Sequence, residues 1–77
     1  MLIEVLGTGC PKCKKLYETA IQAVKIAGAE AEVRKVEDMK KILSYRVMLT
    51  PALVIDGKVK AAGRLPDLKE ITEWLKA

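Results

Sequence analysis

A chain of 77 residues with 51% hydrophobic and 31% charged side chains and a net charge of +4 is expected to form one domain, residues 1–77, with a small core. No apolar run approaches the ~20 residues of a membrane-spanning helix, and with no histidine the usual general base of hydrolytic enzymes is missing. There is no Gly-rich phosphate loop, and two tyrosines and one tryptophan in distant segments make no stacking platform for nucleic acid.

The N-terminus, Met1-Leu2-Ile3-Glu4-Val5, has neither a basic segment nor a small-residue cleavage site, so cytoplasm is the expected compartment. Leu2 to Leu6 is an apolar run broken only by Glu4, too short for a stable helix and suited to a buried strand. It stops at Gly7-Thr8-Gly9. Pro11 then sits where a helix start tolerates a missing N–H, and the helix is expected to run to Gly28. Advancing about 100° per residue from Cys13, Leu16, Tyr17, Ala20, Val24 and Ala27 share its side, while Lys15, Glu18, Gln22 and Lys25 lie opposite.

Ala31 to Val36 reads as a second strand. Asp38 is an N-cap for a short helix expected to carry Met39, Ile42 and Leu43 inward. Thr50-Pro51 breaks the chain before Ala52 to Ile55, and Asp56-Gly57 is a hairpin turn joining that strand to Lys58 through Ala62. Asp67, with Glu70 three residues later, has the spacing of an acidic capping box, and Leu68, Ile71 and Leu75 form the inward stripe of a last helix. The order β-α-β-α-β-β-α, with a right-handed crossover and a terminal hairpin, predicts an α/β fold with a four-stranded mixed sheet flanked by helices.

Chemistry concentrates in Cys10-Pro11-Lys12-Cys13, the only cysteines of the chain. A C-x-x-C at a strand-to-helix junction in a reducing compartment reads as a redox dithiol. The helix wheel separates the two sulfurs: Cys13 lies on the core stripe, whereas Cys10 precedes the first full turn. Cys10 is therefore the expected attacker and Cys13 the sheltered resolver. A helix N-terminus stabilises a thiolate by about 0.3–1 kcal/mol and by up to ~2 when partly buried. Since one pKa unit is about 1.36 kcal/mol, the dipole lowers Cys10 by roughly one unit from the ~8.5 of a free thiol. Lys12, between the two cysteines, is a candidate for further thiolate stabilisation.

These motifs together resemble the thioredoxin-like superfamily, in particular the small glutaredoxin-like or thioredoxin-like redox-active disulfide proteins of prokaryotes. The resemblance spans essentially the whole chain: the C-x-x-C after the first strand, Thr50-Pro51 before the third, the Asp56-Gly57 hairpin and Gly63 before the last helix. It implies a thiol–disulfide oxidoreductase in which Cys10 attacks substrate disulfides and Cys13 resolves. It also implies a cis Pro51 facing the dithiol, with Thr50 supplying backbone contacts to a bound substrate. Thioredoxins carry a buried aspartate six residues before the attacking cysteine. Glu4 stands at that spacing and is a candidate for moving the resolving thiol's proton. The spacer Pro11-Lys12 is closer to the Pro-aromatic spacer of glutaredoxins than to the Gly-Pro of thioredoxins.

No bound cofactor and no resident metal are expected. The implied partners are disulfide-containing proteins and a flavin-containing disulfide reductase or other dithiol donor, with the chain acting as a monomer. The alternative is a Cu(I)-binding metallochaperone-like carrier, because two soft thiolates suffice for that ion. Against it stand the helix after Asp38, the Thr50-Pro51 step, and Thr8-Gly9 where such carriers usually place a methionine.

Overall fold

The computed structural model describes residues 1–7, 11–47 and 49–76. Its elements are β1 (Leu2–Leu6), α1 (Pro11–Ala27), β2 (Glu32–Val36), α2 (Met39–Ser44), β3 (Ala52–Ile55), β4 (Lys58–Ala62) and α3 (Leu68–Lys76). The sheet order is β2-β1-β3-β4, with β1 parallel to β2 and antiparallel to β3, and β3 antiparallel to β4. The expected α/β fold, a four-stranded mixed sheet in the order β-α-β-α-β-β-α, is the fold observed. Among the described residues, no helix is long and apolar enough to cross a membrane.

Strand alternation in β1 divides the core into two. Ile3 and Val5 point to one face, where they join Leu16, Ala20 and Ala23 of α1, Leu53 and Ile55 of β3, and Ile71 and Leu75 of α3. Leu6 points to the other face, where Val36, Ile42, Val47, Ala52 and Val54 form a second, smaller cluster under α2. The central strand is thus covered on both sides, which explains why four of its five residues are fully buried.

Local chemistry sets the element ends. Asp56 and Gly57 both take positive φ, 49° and 82°, as a type I′ hairpin requires. Asp38 Oδ1 accepts from the Lys40 N–H at 3.0 Å, and Asp67 Oδ1 from the Glu70 N–H at 2.8 Å. Glu70 Oε1 reaches back to the Asp67 N–H at 3.5 Å, completing the capping box.

One expectation fails. Of the three residues assigned to the inward side of α2, only Ile42 is buried; Met39 and Leu43 are 54% and 59% exposed. The helix is turned so that Tyr45, at its C-cap, faces β1. The reason is Glu4, which is 3% exposed. A buried carboxylate needs polar partners, and α2 supplies them at the cost of leaving two apolar side chains in water.

Candidate active site

The site is organised by the C-terminal end of β1. Pro11 opens α1 without wasting a hydrogen bond, and Cys13, in the first turn, is turned back onto the strand end and is 5% exposed. Its floor is Gly7, whose N–H donates to the Val36 carbonyl at 3.0 Å. Any Cβ at Gly7 would collide with Cys13 Sγ and lie 3.0 Å from Cys13 Cβ. The sulfur therefore occupies the volume that every other residue type would fill at position 7. Cys10, together with Thr8 and Gly9, lies outside the described residues.

Beside Cys13 is a cavity of about 160 Å³ lined by Val5, Gly7, Cys13, Lys14, Lys35 and Glu37. Parallel pairing sets Lys35 next to Val5, and its Nζ lies over the Tyr17 ring, 4.6 Å from the centroid, within cation–π range. The charged groups lining the space beside Cys13 are thus Lys14, Lys35 and Glu37. Lys12 is exposed and is not among the lining residues. Lys35 and Glu37 could have been found from the strand register, which sets every second residue of β2 on the face that carries Val5.

On the other flank of β1, the Thr50–Pro51 peptide is cis. Thr50 is exposed and Pro51 buried. Antiparallel pairing joins Leu6 to Ala52, so one further step of the same register sets Pro51 opposite Gly7, the residue beneath Cys13. The Pro51 carbonyl accepts from the Gly63 N–H at 2.9 Å, and Gly63 has φ +72°. A Cβ on Gly63 would lie 2.8 Å from Leu49 Cβ. Leu49 itself is 66% exposed and Leu65 is exposed as well. Cys13, Pro51 and Gly63 therefore meet at one end of the sheet, rimmed by accessible apolar side chains. Arg64 leaves that rim through a two-pronged contact with Glu70, at 3.2 and 3.1 Å, and the carboxylate holds its guanidinium above its ordinary pKa.

Glu4 lies elsewhere. Alternation directs its side chain to the α2 face, away from the face on which α1 carries Cys13. The Tyr45 hydroxyl donates to its Oε1 at 2.5 Å. Its Oε2 accepts no aligned hydrogen bond among the described residues, yet the Lys41 Nζ stands 3.3 Å away. That contact is an ion pair held by charge rather than by hydrogen-bond geometry, between a half-exposed ammonium and a buried carboxylate. Arg34, paired with Glu4 across the β1–β2 ladder, adds a second positive charge nearby. Neither Tyr45 nor Lys41 is visible from the spacing of the dithiol motif, since Tyr45 is 41 residues from Glu4 in sequence.

Residues 1–76 match the model of a family described as thioredoxin domain. The chain is 39% identical over 77 residues to a thioredoxin of Methanocaldococcus jannaschii, covering 100% of this chain and 88% of that protein. It is likewise 39% identical over 75 residues to a thioredoxin of Methanothermobacter thermautotrophicus, covering 97% of each. A probable thioredoxin of the latter organism is 33% identical over 67 residues, 83% of this chain and 78% of that protein.

Proposed function

The chain belongs to the thioredoxin domain family, and on that premise we propose that it is a protein thiol–disulfide oxidoreductase working through Cys10 and Cys13. In the proposed cycle the Cys10 thiolate attacks a substrate disulfide. One substrate sulfur leaves as thiolate and the other is held in a mixed disulfide with Cys10. Cys13 then loses its proton and attacks the Cys10 sulfur, releasing the second substrate thiolate. Two electrons have passed to the substrate, whose two sulfurs leave as thiolates and take up protons from solvent according to their own pKa. The single proton from Cys13 is released, and the protein is left with a Cys10–Cys13 disulfide. A flavin-containing disulfide reductase or another dithiol protein returns the pair to the reduced form. No bound cofactor takes part, the chain acts as a monomer, and its compartment is the cytoplasm.

The observation that supports this reading most directly is the seat of Cys13. It is a buried sulfur in the first turn of a helix, packed on a glycine, with an apolar rim around Pro51 beside it. That is the arrangement needed for a resolving thiol that is shielded from outside reagents yet close to a docking edge. Thr50, exposed beside the buried Pro51, offers its backbone groups for strand-like pairing with an extended substrate, while the Pro51 carbonyl is engaged by Gly63. Lys12 and the lysines lining the neighbouring cavity favour thiolate over thiol, and they attract partners whose disulfides lie in acidic surroundings.

The test is a redox titration in metal-free dithiol buffers, trapped by alkylation and read by mass. A reversible two-electron transition in the roughly −180 to −280 mV range of thioredoxin-like carriers is expected. Cys10→Ser should abolish turnover, while Cys13→Ser should accumulate the mixed disulfide. Identical behaviour of the two variants would defeat the division of roles. No intramolecular disulfide across the whole range would transfer the pair to Cu(I) carriage, where one ion per chain should bind in a thiol-dependent manner.

A further inference from the structure

The buried Glu4 has no task in the exchange cycle above, and its surroundings suggest one. Its hydroxyl partner, Tyr45, is the C-cap of α2 and the start of the segment that leads to Thr50 and Pro51. After Tyr45 the chain must reverse: Arg46 takes φ 60°, with its N–H bonded to the Leu43 carbonyl at 2.9 Å. Val47 then drops into the core under α2, 5% exposed. At its far end the segment is held by the Gly63 N–H to Pro51 carbonyl bond. Tyr45 and Val47 are thus fastened on one side and Pro51 on the other, while Leu49 and Thr50 stay exposed.

We infer that the Glu4–Tyr45 hydrogen bond, backed by Lys41, is a positioning device for substrate docking: it anchors the loop that presents Leu49 and Thr50 to a protein disulfide. This rests on the proposed role of Thr50 and Pro51 as a docking edge. The physical basis is pre-organisation. A loop already held in its bound shape loses less conformational freedom when a partner settles on it, and the saving is expressed in affinity. The burial of Glu4 makes the anchor strong, since a hydrogen bond to a charged group in a poorly hydrated setting exceeds a neutral one at the surface. In this assignment Tyr45 and Glu4 are positioning residues and touch neither substrate nor thiol.

The closing experiment compares two disulfides of different size. Insulin, with a small dithiol as electron donor, requires protein docking. 5,5′-Dithiobis(2-nitrobenzoate), cleaved by the pre-reduced protein in stopped flow, needs only an accessible thiolate. Tyr45→Phe removes the hydroxyl and nothing else. It is expected to raise the KM for insulin by about five- to tenfold, the scale of one lost charge-assisted hydrogen bond only partly transmitted to the loop. Its kcat, and its rate with the small disulfide, should stay within about twofold of the wild type.

Glu4→Ala should reproduce the docking defect, and Glu4→Gln, which keeps an acceptor for the hydroxyl, should recover most of it. An unchanged insulin KM in Tyr45→Phe would overturn the inference. So would a parallel fall of both rates, which would assign the pair to thiol chemistry or to folding. Wild-type protein that cleaves neither disulfide would overturn the oxidoreductase reading itself and take this inference with it.

Discussion

Gly7 illustrates how one missing atom creates a site. The glycine is at the end of the central strand, and the space its absent side chain leaves is taken by Cys13 Sγ. Its φ lies outside the left-handed region, so the demand is steric rather than conformational. Gly7→Ala should therefore act as overpacking of a closed core, destabilising the protein by roughly 1–3 kcal/mol, measured as a lower urea midpoint with an unchanged m-value. Because the strain falls on the sulfur, the same substitution should also make Cys13 more accessible to alkylation in the reduced protein. Cys13 as the inner cysteine follows from the helix wheel alone, since it shares a side with Leu16 and Ala20. The need for glycine beneath it does not, because that depends on how closely α1 approaches β1.

Helix α3 shows an element whose start is written locally. Asp67 and Glu70 exchange hydrogen bonds over three residues, and Glu70 in turn holds Arg64. Asp67→Ala should cost about 1 kcal/mol, the usual value of a lost N-cap, read as a shift in thermal or denaturant midpoint. Motifs of this kind are legible in the amino-acid order alone. The Asp56-Gly57 turn, the Asp38 cap and the Asp67–Glu70 box each depend on neighbours within a few residues. Helix α2 is different. Its apolar spacing, Met39 and Leu43 with Ile42, argues for one inward face, yet the helix is rotated toward another. The force that turns it is a carboxylate on β1, brought into contact by a pairing that no local pattern records. The candidate site divides in the same way: Cys13 and Thr50–Pro51 stand out as motifs, whereas Lys35, Glu37, Lys41 and Tyr45 arrive through strand register and helix rotation.

At the scale of the whole molecule, the Glu4–Tyr45 contact links stability to pH. The hydrogen bond to Glu4, then partial burial, then the charge of Glu4 hold the Tyr45 phenol above its ordinary pKa. A phenol whose folded pKa is raised keeps its proton more tightly in the folded than in the unfolded chain. Its stabilising contribution is therefore fully present below an unfolded value of about 10. It is lost as the pH rises through the higher folded value. Urea midpoints of wild type and Tyr45→Phe should accordingly differ most near neutral pH and converge in strong alkali.

The two outer strands of the sheet carry a further consequence. On β4, Lys58, Val59 and Lys60 are all exposed, and the ladder shifts register between Leu53 and Val54 so that Lys60 has no counterpart on β3. On β2, Glu32, Arg34 and Lys35 are exposed. Charge and an irregular rim on strands with one side unpaired discourage a second sheet from adding there. Strand addition at either edge, by another extended polypeptide or by a second copy of the chain, is thereby disfavoured. Lys58→Gln combined with Lys60→Gln should weaken that protection, an outcome read as increased self-association of the folded protein by light scattering at raised concentration.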